Sequence, residues 1–206
     1  MNTPALLLFD LGGVLIENAT FERMNSLLPQ PLDGVSFKER WLCSSAVRRF
    51  ELGEISPDDF AERFIAEWGI QLTPDEFLQE FVSWPKGYYP EARETIRILR
   101  QRYRVACLSN TNILHWEKFG GFENVFDITF FSHLLGVIKP DYLAFERVLS
   151  ACSVEASEVC FFDDSLPNVQ VAQGMGMRAF HVEGIKSLQH VLRTQGWLPI
   201  TGKIDE

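Results

Sequence analysis

Six side chains in four short segments could do chemistry on a phosphate ester: Asp10 in FDLGGVL, Ser109 and Asn110 in LSNTN, Lys139 in GVIKPD, and Asp163 and Asp164 in FFDDSLPN. The carboxylates can attack or ligate a hard cation. The Ser109–Asn110 pair offers a hydroxyl and backbone N–H groups near a helix start, a ready anion site. Gly12 and Gly13 follow Asp10 and let the backbone turn sharply and approach a ligand without interference from a Cβ. Two carboxylates about 4 Å apart repel by roughly 4 kcal/mol at an effective dielectric of 20. If Asp10 converges with the Asp163–Asp164 pair, something cationic must therefore sit among them. Lys139 supplies one positive charge and a hard divalent ion the rest. Mg²⁺ fits, because it binds through one or two carboxylates plus water and substrate phosphate.

Taken singly, each of these residues has a structural explanation as a turn residue, an N-cap or a solvated Lys-Pro turn. The set matters because of the elements that carry it. Residues 5–9 are apolar without alternation, which suits a strand buried on both faces of a parallel sheet, and Asp10 ends that run. Strands are also predicted at 104–109, 127–131, 158–163 and 177–182, with helices at 91–102, 113–119, 142–150, 168–174 and 185–193 between or after them. This alternation implies an α/β fold with a parallel sheet, helices on both faces and right-handed crossovers. Such a sheet sets the ends of its strands along one edge, where open α/β sheets place their ligands.

Residues 16–84 read differently. Helical spacing covers 21–28 and 37–50. SPDDFAERFIAEWG (56–69) and TPDEFLQEFVSW (73–84) each open on an N-cap hydroxyl, a proline at the first helical position and acidic residues in the first turn. No strand is expected inside this interval, which is far too long for a single crossover helix. It reads as an inserted all-helical cap over 17–85, with WPKGYYP as the linker back to a core made of 1–16 and 86–206. Phe60, Phe64 and Trp68 are expected in the core of that cap.

The chain has 206 residues, 46% hydrophobic and 23% charged, and a formal net charge of −9. The negative charge argues against nucleic acid or an anionic membrane as the main partner. The N-terminal apolar run is too short for a membrane span and lacks the marks of a signal peptide, so a cytoplasmic protein is expected. Cys43, Cys107, Cys152 and Cys160 are scattered, as free thiols would be.

The four segments, in order and at these spacings, resemble the haloacid dehalogenase superfamily over essentially the whole chain. Within it, DLGGVL, RRFELGEISPDDF, SNTNILHW and FFDDSLPNV are most similar to the bacterial α-D-glucose 1-phosphate phosphatase branch. The resemblance implies a Rossmannoid three-layer core with sheet order 5-4-1-2-3 and a type 1 helical cap. It makes Asp10 the nucleophile of a two-step phosphoryl transfer through an aspartyl-phosphate. The Gly12 carbonyl and Asp164 would ligate Mg²⁺, Asp163 would bind it through water or orient Lys139, and Ser109 with the Asn110 amide would hold the phosphoryl oxygens. The expected partner is a small phosphorylated metabolite.

One position departs from the pattern. Most phosphatases of this superfamily carry a general acid-base aspartate two residues after the nucleophile, and here that residue is Gly12. Such help is typically worth roughly 100 to 10,000 fold, so its loss favours esters with easier leaving groups, such as a sugar 1-phosphate. A 2-haloacid dehalogenase would explain Gly12 but not the Asp163–Asp164 pair. A catalytically weakened protein that binds a phosphometabolite is the other alternative. His115 and Trp116 either touch substrate or pack on the following helix. Arg48 and Arg49 either meet a sugar phosphate or lie on a solvated helix face, and His133 and His181 read as surface or strand-end residues.

Overall fold

The computed structural model describes residues 3–122 and 124–199. Five strands, β1 (Leu6–Phe9), β4 (Arg104–Ser109), β5 (Ile128–Phe131), β6 (Val159–Asp163) and β7 (Arg178–His181), form one sheet in the order β5-β4-β1-β6-β7. Every pairing in it is parallel. Counted along the chain, that is the expected order, with the Asp10 strand at the centre.

All four residues of β1 are buried because successive side chains serve opposite faces. Leu7 and Phe9 join a core closed by Ile96 and Leu99 of α6 (Ala92–Leu99) and by Leu188 and Leu192 of α11 (Gly184–Thr194). Leu6 and Leu8 join the opposite core, closed by Phe145 and Val148 of α9 (Tyr142–Cys152) and Val169 of α10 (Leu166–Gly174). This is the three-layer arrangement.

Five helices stand between Ala19 and Trp84: α1 (Thr20–Leu27), α2 (Gly34–Cys43), α3 (Ser45–Glu51), α4 (Pro57–Trp68) and α5 (Pro74–Ser83). Their ends follow local chemistry. Ser56 accepts from the Asp59 N–H to open α4, Gly69 closes it at φ +70°, and Thr73 forms a capping box with Glu76 at the start of α5. Phe60, Phe64 and Trp68 lie buried in a separate core of the helical region.

Two expectations for residues 16–84 need correction. The single helix read over 37–50 is two, because Ser44 turns to extended backbone and caps α3 by accepting from the Val47 N–H. The interval also contains strand: β2 (Ile16–Asn18) pairs antiparallel with β3 (Pro85–Tyr88) where the chain leaves and re-enters the core. WPKGYYP is thus half of a two-stranded ribbon. Three residues facing four give no period-2 pattern long enough to read. Of the four free cysteines, Cys43 is exposed and the other three are buried.

Candidate active site

Register brings the carboxylates together. Phe9 of β1 pairs with Phe162 of β6, and the Asp10 N–H continues the ladder to the Phe162 carbonyl at 2.9 Å, so Asp10 and Asp163 leave adjacent strands side by side. Asp10, Asp163 and Asp164 each offer an oxygen, and these atoms all lie within 4.8 Å of one another. Lys139 Nζ sits between two of them, 2.6 Å from Asp10 Oδ1 and 2.6 Å from Asp163 Oδ2. All three of these ion-paired side chains are buried.

One ammonium among three carboxylates leaves an uncompensated negative charge. Burial drives the Asp10 carboxyl up to about 8, and Asp163 and Asp164 push the same way against the pull of Lys139. Burial and the neighbouring Asp163 raise Asp164 to about 6. Burial also works against the charged form of Lys139, but the two carboxylates outweigh it and hold the ammonium above its usual range. An all-oxygen donor set with excess negative charge suits a hard divalent cation.

The three aspartates are not equivalent. Asp163 accepts from Lys139, from the Ser165 N–H at 2.7 Å and from Asn168 Nδ2 at 3.0 and 3.1 Å, so both its oxygens are engaged. Asp10 accepts only on Oδ1, and Asp164 accepts no side-chain hydrogen bond among the described residues. The lone pairs open to a cation or an electrophile therefore belong to Asp10 and Asp164. Gly13 makes room for the latter. It stands at φ +72°, and a Cβ built on it would lie 2.2 Å from Asp164 Oδ2. Its own N–H is spent on the Ile16 carbonyl at 2.9 Å.

On the other side of β1, Ser109 ends β4 and lines a cavity together with Gly12, Asn110, Thr111 and His115. Ser132 holds this loop in place, accepting from the Thr111 N–H and donating to the Thr111 carbonyl, both at 2.9 Å. The Asn110 side chain grips the Lys139 backbone at both ends, donating to its carbonyl at 2.8 Å and accepting from its N–H at 2.9 Å. That side chain is accordingly not available to a ligand.

A family model described as haloacid dehalogenase-like hydrolase matches residues 4–176. The chain belongs to the haloacid dehalogenase-like hydrolase family. This family member is 32% identical over 187 residues to a sesquiterpene phosphatase of Aspergillus oryzae, covering 85% of this chain and 88% of that protein. It is 25% identical to a D-ribitol-5-phosphate phosphatase of Bacteroides thetaiotaomicron over 86% and 91% of the two chains. Its fold superposes with a TM-score of 0.75, at 24% identity, on a haloacid dehalogenase family enzyme from B. thetaiotaomicron solved with magnesium and inorganic phosphate, covering 92% of this chain and all of that one.

Several candidates take structural places in this hydrolase. His115 also lines the cavity, but both ring nitrogens are occupied, one on the Phe81 carbonyl at 2.9 Å and the other on Asn112 at 3.2 Å. Burial depresses it to about 4, so it is a neutral pin between α5 and α7 (Ile113–Lys118). Trp116 packs over Gly121 and against His133. Arg48 pairs with Asp141 and Arg49 with Glu54. His181, in β7, meets the Asp164 carbonyl at 2.9 Å. Asn168, Ser132 and the positioning role of the Asn110 side chain escape a reading of the sequence. Asn168 lies inside a quoted motif, yet nothing in its type says that its amide will reach back to Asp163.

Proposed function

We propose that this hydrolase cleaves phosphomonoesters of small metabolites through an aspartyl-phosphate formed on Asp10, with Mg²⁺ as its cofactor. The observation that carries this reading is the cluster of Asp10, Lys139, Asp163 and Asp164 at one sheet edge, with one Asp10 oxygen left unengaged. The phosphatase names of the relatives support it.

In this reading Lys139 holds Asp10 by Oδ1 and keeps its charge in place, while the other oxygen is aimed at phosphorus. Ser109 and the Asn110 main-chain N–H receive the phosphoryl oxygens. Asp163, locked by Ser165 and Asn168, positions Lys139. Asp10, Asp164 and the Gly12 carbonyl would hold the metal, which when bound neutralises charge on the transferring group. Most of the acceleration then comes from charges fixed before the reaction in a water-poor site. The excess negative charge around Asp10 disfavours a metal-free dehalogenase.

The finer assignment, to the α-D-glucose 1-phosphate branch, rests on the motifs DLGGVL, SNTNILHW and FFDDSLPNV. It puts sugar 1-phosphates first among substrates to assay. No helix among the described residues is long and apolar enough to cross a membrane, and the formal net charge of −9 does not favour nucleic acid as a partner.

Asp10→Asn tests the assignment. The variant is expected to melt like the parent and to release no phosphate from 4-nitrophenyl phosphate, and the parent to lose activity on chelation and regain it with Mg²⁺. Undiminished turnover by the variant, or full activity after exhaustive chelation, refutes the reading.

A further inference from the structure

The site as described lacks a proton donor for the leaving group. Gly12 has no side chain. Asp163 already accepts from three partners, and Lys139 is clamped between two carboxylates. Both nitrogens of His115 are occupied. The helical region brings two charged groups toward the cluster: Lys38 of α2, whose charge acts on Asp164, and the carboxyl of Glu51.

Glu51 is the last residue of α3 and is half-buried. Among the described residues its carboxyl makes no hydrogen bond and no ion pair. The flanking segment is fixed to the core at two points. Arg48 Nη2 pairs with Asp141 Oδ2 at 2.8 Å, two residues beyond Lys139. Gly53 sits so closely on the His133 carbonyl that a Cβ there would lie 2.4 Å from the oxygen. Glu51 lies between these anchors in the chain, and the residues they hold, His133 and Asp141, bracket Lys139. Burial raises its carboxyl to about 7, and the one charge pulling it back is Lys139. The other charged groups nearby are already taken: Arg48 by Asp141 and Arg49 by Glu54. Burial lowers His133 from its ordinary value.

We propose that Glu51 is the general acid and base of this enzyme, supplying from the helical region the proton that Gly12 cannot. The inference rests on the phosphatase reading above. As Asp10 bonds to phosphorus and the ester P–O bond breaks, the Glu51 carboxyl gives its proton to the departing oxygen, and the alcohol leaves neutral. The Glu51 carboxylate then takes a proton from the water that attacks the aspartyl-phosphate. Inorganic phosphate leaves, and both carboxyl groups return to their starting states. A carboxyl held near neutrality suits both steps.

The experiment compares 4-nitrophenyl phosphate, whose phenolate departs without help, with benzyl phosphate, whose alkoxide needs a proton. In Glu51→Gln, kcat/KM is expected to fall about 100-fold or more for benzyl phosphate and far less for 4-nitrophenyl phosphate. Glu51→Asp should recover part of the loss. In the parent, kcat/KM for benzyl phosphate should decline on the basic side as Glu51 ionises, and that limb should be absent with 4-nitrophenyl phosphate. The parent profile decides the matter even if a variant misfolds. Equal losses on the two esters, no loss, identical pH profiles, or a parent that cleaves only the aryl ester would each overturn the assignment to Glu51. A parent that releases phosphate from neither ester refutes the phosphatase reading itself.

Discussion

Replacing Gly13 by alanine separates the two things that glycine does. At φ +72° any L side chain pays for left-handed backbone, about 1–2 kcal/mol, and the new methyl would also sit 2.2 Å from Asp164 Oδ2 and 2.8 Å from its Cγ. The backbone cost is measured alone at Gly69, which stands at φ +70° with nothing within 4 Å of its virtual Cβ. Gly13→Ala and Gly69→Ala should therefore lose similar stability, roughly 2–8 °C in Tm for a chain of this size. The extra contact in Gly13→Ala is with the end of a short side chain, which escapes by swinging its carboxylate away from Gly13, by about 1 Å or more. A displacement of that size can cost about 100-fold in turnover. Thermal melts with and without Mg²⁺, together with phosphate release, form the assay. Gly69→Ala should keep the full Mg²⁺ response and activity, and Gly13→Ala should lose both while still folding. If Gly13→Ala retains a parental Mg²⁺ response, Asp164 is not where the metal is held.

Gly12→Asp should fold, since a Cβ at that position meets only Asn18 Nδ2 at 3.8 Å. It should broaden the range of esters cleaved and restore benzyl phosphate turnover to Glu51→Gln, and a folded double variant without that recovery contradicts the account of the missing acid. The pH dependence of stability has a definite sign. Folding raises Asp10 from 3.8 to about 8 and Asp164 from 3.8 to about 6, so the folded state binds more protons than the unfolded chain across that interval. Their contribution is complete below about pH 4 and is lost as pH rises, through 6 for Asp164 and 8 for Asp10. A cation binds the deprotonated forms, so the rise in Tm produced by Mg²⁺ should be larger at pH 8 than at pH 5. An equal rise at both pH values refutes that reasoning.

The sequence alone determined the parallel sheet and singled out the aspartates and the lysine that the fold brings together. An unbroken apolar run ending in Asp10, the helix openings at Ser56 and Thr73, and the acidic pair closing β6 are local signals, legible because backbone preference and burial act over a few residues. The central place of the Asp10 strand, beside that of Asp163, was expected from the family resemblance the motifs carry, and the observed register makes it geometry. Tertiary structure alone decided how the polar groups divide their work. Asp163 and Asp164 are neighbours of one type, yet one is saturated by Lys139, Ser165 and Asn168 and the other is open. Asn110 spends its side chain on the Lys139 backbone, 29 residues away. Glu51 reads in the sequence as one more helix-end acid and gains its meaning from the docking of α3 against the core. Hydrogen-bond partners and desolvation depend on which surfaces meet in space, and the residues that set them lie tens of positions apart in the chain.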